Sequence, residues 1–146
     1  MSDDATLDSG QLQDFNQQMI EQFRTGGRKM GFGPMQLLLL TTQGAKTGRT
    51  HVSPLAAFTE DGHVYIVASY GGAPEHPAWF HNLVANPVVE VEHDGETYEA
   101  QARVLPDAER DPLFARIVGH AAQFGEYQQK TGRTIPVVEL ERLEIG

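Results

Sequence analysis

The residues best equipped for chemistry sit in one short run, Thr41-Thr42-Gln43-Gly44-Ala45-Lys46-Thr47-Gly48-Arg49, which combines two glycines, three hydroxyls and two cations. These are the parts of an anion cradle. Glycine lets successive backbone N–H groups converge, a hydroxyl adds a donor, and Lys46 and Arg49 bring charge that can neutralise a phosphate or carboxylate. The run is not a P-loop, because Leu39 stands where its first glycine belongs and the chain after Thr47 reads as turn and strand rather than helix. Nucleoside triphosphate chemistry is not expected. On turn chemistry alone the same run also reads as a solvated loop.

Charge sharpens the choice. The chain of 146 residues carries a formal net charge of −9, which argues against nucleic acid as a partner because most of the surface repels a phosphate backbone. Between Gln22 and Thr59, however, there is no Asp or Glu, while Arg24, Arg28, Lys29, Lys46 and Arg49 all fall there, so that window is +5 and the remainder −14. Cysteine is absent, which removes disulfides, thiolate nucleophiles and sulfur-ligated metals, and fits a reducing cytoplasm. Of the six histidines, His76 and His81 are five apart and the rest are scattered, so no metal site is expected. No nucleophile-elbow sequence occurs. The most apolar run, Leu37 to Leu40, falls far short of a membrane span, and Met1 to Gly10 is acidic rather than signal-like; a soluble, unprocessed protein is expected.

The elements that must position these residues follow from periodicity. Leu12, Phe15, Met19, Ile20 and Phe23 recur at three- and four-residue spacing after Asp8 and Ser9, predicting an amphipathic N-terminal helix within residues 1–27. Its stripe is most simply docked on the rest of the fold; the other reading is weak contact of Phe15, Met19, Phe23, Arg24, Arg28 and Lys29 with a membrane surface. Met35 to Thr42 and His51 to Thr59 read as strands, and His63 to Ser69 returns from a hairpin turned by Asp61-Gly62. Pro77 opens a helix over Ala78 to Ala85 that Asn86-Pro87 ends. Val88 to His93 and Thr97 to Leu105 flank a second hairpin turn, Asp94-Gly95. Asp107 then caps a helix, a helical turn surrounds Tyr127, and Ile135 to Leu143 reads as the last strand, placed at an edge by Pro136. The expectation is one α+β domain over residues 1–146, a closed or split β-barrel of about six mainly antiparallel strands with flanking helices.

The ordered set Leu40-Thr41-Thr42, Gly44, Lys46-Thr47-Gly48, Pro54-Leu55, Ala68-Ser69, Gly71-Gly72, Pro77, Trp79, Asn82-Leu83, Ala85-Asn86-Pro87 and Tyr127, Thr134, Ile135, Pro136 resembles the deazaflavin-dependent nitroreductase and quinone reductase family. The resemblance implies a split β-barrel related to FMN-binding barrels and a reductase that uses coenzyme F-420, a deazaflavin whose tail carries phosphate, lactyl and glutamate groups. By position it implies that Ala45, Lys46, Thr47, Arg49 and His51 meet the tail. Pro54, Leu55 and Ala68, Ser69, Tyr70, Gly71 and Gly72 would line the ring, with Ala78, Trp79, Asn82 and Phe124 completing the pocket. The reaction it implies is hydride transfer to a small organic acceptor, with Ser69 hydrogen-bonding the ring or acceptor and Tyr127 or a water supplying the proton. Tyr127 and Trp79 also have plain readings, a tyrosine tethered to a backbone carbonyl and a core anchor.

Some positions depart from the family pattern. Ala45 and His51 stand where arginines are usual, which implies weaker or pH-dependent tail binding, since histidine titrates near neutrality and arginine does not. Tyr70 replaces a lysine of some members, and Ala56, Ala121 and Phe124 stand where reducers of bulky nitroimidazoles have tyrosines, so quinones or other conjugated electron-poor acceptors are expected. The alternatives are an FMN-binding split-barrel oxidoreductase and a non-catalytic cofactor-binding module; homo-oligomer formation is left open.

Overall fold

The computed structural model describes residues 9–143. Helix α1 spans Ser9–Thr25, so Ser9 begins it, while Asp8 lies outside the described residues. The strands are β1 (Gly31–Phe32), β2 (Met35–Gln43), β3 (Thr50–Glu60), β4 (His63–Val67), β5 (Val88–His93), β6 (Glu96–Val104) and β7 (Val137–Arg142). The remaining helices are α2 (Ala78–Ala85), α3 (Asp107–His120) and α4 (Gln123–Lys130). All pairings are antiparallel in the order β1-β2-β3-β4-β7-β6-β5, and β5 pairs back onto β2 through Leu39–Glu92, Leu40–Val91 and Thr41–Glu90. Six strands thus close a barrel, and closure removes the exposed edges an open sheet would present.

Strand alternation sorts the core into an inside and an outside. Leu38, Leu40, Ala57, Ile66, Val91, Ala100, Val138 and Leu140 fill the barrel, joined by Trp79, Phe80 and Leu83 of α2. Phe58 and Val137, the neighbours of Ala57 and Val138, point the other way and pack with Leu113, Phe114, Ile117 and Phe124 of α3 and α4. Leu39, between two inward leucines, meets Ile20 and Phe23 of α1 on the outer face. Burial on both faces is why β2 reads as an unbroken apolar run. Both predicted hairpin turns have left-handed backbone at both central residues, Asp61 (φ 53°) with Gly62 (82°) and Asp94 (51°) with Gly95 (81°), which matches the strand twist.

Two expectations are corrected. Pro136 does not mark an edge: β7 lies between β4 and β6, and the proline sits just before the ladder, where its carbonyl accepts from Ala68 N–H and its missing donor costs nothing. Asp107 is the first residue of α3 rather than its cap; Pro106 takes the flanking position and no side chain caps the end. The parts of a membrane-contacting face on α1 are largely committed elsewhere. Phe23 is fully buried, and Arg24 and Arg28 converge on the buried carboxylate of Glu92 in β5, at 2.7 and 3.0 Å. Phe15 remains exposed. Among the described residues no helix is long and apolar enough to cross a membrane.

Candidate functional site

Beyond β2 the chain folds back through a tight turn that carries the cradle residues. Gly44 N–H donates to Arg49 O at 2.7 Å, Gly48 N–H to Gly44 O at 2.9 Å, and Arg49 N–H to Thr47 Oγ1 at 3.2 Å. Asn82 of α2 ties the turn to the barrel, its Oδ1 accepting from Ala45 N–H at 3.0 Å and its Nδ2 donating to Thr42 Oγ1 at 3.2 Å. The Ala45 N–H is therefore engaged, whereas the Lys46 and Thr47 N–H groups have no acceptor among the described residues. A side chain on Gly44 would press Thr47 Oγ1 to 2.8 Å and His51 Nε2 to 3.2 Å, so the absence of a Cβ is what lets those two polar groups converge.

Three adjoining cavities run from this turn along α2. The first, about 530 Å³, is walled by Ala45, Lys46, Thr47, His51, Ala78, His81 and Asn82. The second, about 640 Å³, shares His51, Ala78 and Asn82 with it and extends between α1 and β3 past Asn16, Gln17, Thr50 and Ser53. The third, about 400 Å³, meets the second at Trp79 and is lined by Pro54, Leu55, Ala56, Val67, Ser69, Tyr70, Gly71, Pro77, Phe124 and Tyr127. One end of the trench carries Lys46, Thr47 and His51, and the other is lined by the aromatic side chains of Trp79, Phe124 and Tyr127.

Its electrostatics follow from which cations remain unpaired. Of the eleven Lys and Arg residues, seven have a carboxylate within 4 Å, including Arg24, Arg28 and Lys29, so three of the five charges in the basic window are spent on Glu92 and Asp94. Hydrogen bonds from Arg24 hold the Glu92 carboxyl below the usual range against the opposing push of burial. Lys46, Arg49, Lys130 and Arg133 have no such partner among the described residues. Lys46 and Arg49 belong to the turn, while Lys130 and Arg133 back the segment that lines the third cavity, Lys130 Nζ approaching Gly71 O at 3.4 Å. The protein is acidic overall, yet its uncompensated positive charge gathers at this trench.

The structure brings the expected ring and turn residues into one continuous feature. Arg49 is exposed beside the turn, while Ala68 and Gly72 are buried behind the cavity-lining Ser69, Tyr70 and Gly71. Trp79, 8% exposed, serves both as barrel anchor and as the wall shared by two cavities. Ser69 is buried, and among the described residues its Oγ has no hydrogen-bond partner. Tyr127 is half-buried; no backbone carbonyl tethers its hydroxyl among the described residues, unlike the plain reading of that side chain. Ala56 and Phe124 line the third cavity and Ala121 is buried in the α3–α4 cluster. Gly72 (φ 81°) is packed so closely on α4 that a Cβ would lie 2.9 Å from Tyr127 O, whereas Gly71 (φ 61°) faces open space.

These features fit a flat ring with an anionic tail: among the described residues, cations without carboxylate partners and free N–H donors stand at one end, and an aromatic-lined cavity with one buried unpaired hydroxyl at the other. The description that matches the sequence is F420H(2)-dependent quinone reductase, over residues 14–142. The chain belongs to that family. An F420H(2)-dependent quinone reductase of Mycobacterium tuberculosis (strain ATCC 25618 / H37Rv) is 41% identical over 125 residues, covering 82% of this chain and 80% of its own. Among solved structures, one described as an F420-H2 dependent reductase (FDR-A) is 40% identical with a TM-score of 0.65, covering 72% of this chain and 93% of that one. Another, described as a domain-swapped dimer, is 36% identical with a TM-score of 0.68, covering 89% and 96%.

Two residues at or behind the trench escape a reading of the sequence. His81 enters the first cavity because α2 turns it toward Ala45 and Lys46, and read alone it was only one of six scattered histidines. Arg133 makes its contacts with residues 57–65 positions away, so no local pattern announces it.

Proposed function

We propose that this member of the F420H(2)-dependent quinone reductase family holds reduced coenzyme F-420 along the trench and passes hydride to a quinone at its aromatic end. The observation that carries the reading is the pairing, in adjoining cavities, of cations that have no carboxylate partner and a buried hydroxyl that has no protein partner among the described residues. When bound, the deazaflavin supplies a two-electron hydride donor at C5.

The chain's own residues supply binding, orientation and proton handling. Lys46 and Arg49, with the Lys46 and Thr47 N–H groups, hold the tail anions, and His51 and His81 add ring N–H donors beside them. Pro54, Leu55, Ala78 and Trp79 exclude water from the ring and hold it flat. Gly71, which places no side chain toward the cavity, allows close approach of its backbone. Ser69 Oγ gives the hydrogen bond that orients ring or acceptor, and Tyr127 Oη stands in the same cavity to deliver the proton that, with the hydride, turns a quinone into a hydroquinone. Phe124 and Ala56 shape the acceptor's space.

Single-turnover oxidation by menadione separates these roles. Ser69→Ala lowers the turnover rate about tenfold or more with deazaflavin affinity nearly unchanged. Lys46→Ala weakens affinity by a similar factor and leaves the bound-state rate nearly unchanged. A loss of rate at unchanged affinity in both variants would contradict the assignment.

A further inference from the structure

After β4 the chain passes through three consecutive residues with left-handed backbone, Tyr70 (φ 47°), Gly71 (61°) and Gly72 (81°). For Tyr70 that conformation costs about 1–2 kcal/mol, and a run of three persists only where surrounding structure holds it. Its internal bonds, Gly72 N–H to Ser69 O at 2.9 Å and Ala73 N–H to Tyr70 O at 3.1 Å, close the turn but do not fix it in the molecule. That is done largely from one short connection, the residues that leave α4.

Arg133 dominates it. Its Nε donates to Ala73 O at 3.0 Å, one terminal nitrogen to Ser69 O at 2.9 Å, and the other to Ala68 O at 3.2 Å while lying 3.1 Å from His76 Nδ1. Thr131 Oγ1 adds a bond to Ala73 O at 3.2 Å. The rigid fork of a guanidinium spans both ends of the turn at once, which the single point of an ammonium cannot do. Most cations of this chain are neutralised by carboxylates, whereas the positive charge of Arg133 is directed to backbone carbonyls flanking the unpaired Ser69 hydroxyl. The same connection continues from α4, which carries Phe124 and Tyr127 to the cavity.

We propose that Arg133 is the positioning residue of this site: by spanning the carbonyls of Ala68, Ser69 and Ala73 it fixes the Ser69 hydroxyl and the Gly71 backbone relative to Tyr127. The proposal rests on the reading that Ser69 faces the reduced deazaflavin, and its first test is independent of that cofactor. In cofactor-free protein, Arg133→Ala raises deuterium uptake of backbone amides over residues 68–73 while peptides from β2 and β5 exchange as before. In the loaded enzyme the same variant loses about tenfold to a hundredfold in kcat, the cost of a misplaced reacting group, with deazaflavin affinity changed less than about threefold. Arg133→Lys recovers a small part of both effects, and millimolar guanidinium restores turnover in Arg133→Ala. Uptake over 68–73 that stays unchanged, or that rises while kcat holds, overturns the proposal. So does a loss confined to affinity, or Arg133→Lys matching the wild type. A wild type that binds FMN rather than the deazaflavin overturns the choice of cofactor instead, and the kcat and affinity split is then read with reduced FMN.

Discussion

Ser69 is more than nine-tenths buried, and its hydroxyl finds no partner among the described residues. An unpaired buried hydroxyl costs about 1–3 kcal/mol, a cost a fold retains where the group has another use. Ser69→Ala is therefore expected to leave thermal stability unchanged or raise it slightly while turnover falls; a clear loss of stability would show that the hydroxyl serves the fold. At the turn, His51 stands beside Gly44 and Thr47 in the cavity of Lys46. His51→Arg adds a permanent cation at an exposed position, so the affinity for reduced F-420 should rise about twofold to fivefold. Isothermal titration checks the rise. Residue types alone drew attention to the turn, because glycine, lysine and hydroxyls cluster in sequence there, whereas Ser69 was singled out only through the family resemblance. They could not reveal Arg133 or His81, whose roles come from partners brought together by the fold.

The elements around the site are held by long-range polar contacts whose sensitivity to change can be ranked. Gly72→Ala would set a Cβ 2.9 Å from Tyr127 O in a left-handed residue, whereas Gly71→Ala meets only the backbone cost of about 1 kcal/mol. Chemical denaturation should accordingly show Gly72→Ala as the more destabilised variant, with lower turnover from disturbing α4. Helix α1 is latched by Arg24 and Arg28 on Glu92, which is 3% exposed, so Glu92→Gln should cost about 1.5 kcal/mol as charge-assisted bonds are lost. The periodicity of α1 announced a docked helix, but its latch joins residues 64 and 68 positions apart and left no local trace. Acid sensitivity also belongs to this scale. Burial lowers the proton affinity of His76 and His93, and for His76 Arg133 and then His81 lower it further. Their unfolded forms take up protons near the ordinary imidazole value of 6.5, before the folded forms do, so stability is complete above that pH and falls as pH drops through the window beneath it. Glu92 and Glu139, both held below the ordinary carboxylate value of 4.5, extend the loss at lower pH. Melting curves from pH 7 to pH 5 should decline in wild type and decline less in His93→Gln; curves that coincide would assign the loss elsewhere.

Across the whole molecule, closure of the barrel and distribution of charge decide what the site can hold. Strand order near the hairpins was legible because Asp61-Gly62 and Asp94-Gly95 dictate their own turns. A barrel was expected as well, but the pairing that closes it was not legible, since β5 returns to β2 across about fifty residues, and Pro136 suggested an edge where β7 lies between two strands. The net charge of −9 likewise concealed four cations, in and behind the trench, that have no carboxylate partner among the described residues. Binding of an anionic tail there should weaken as ionic strength rises toward 1 M, where screening shortens to about 3 Å, and the dependence should be shallower in Lys46→Ala. The most direct test of the assignment is an anaerobic titration of cofactor-free protein with reduced coenzyme F-420, and with FMN in parallel, followed by menadione. Saturable binding of the deazaflavin and its oxidation only after quinone is added is the predicted result; binding of FMN alone, or deazaflavin binding with no quinone-dependent oxidation, would contradict it.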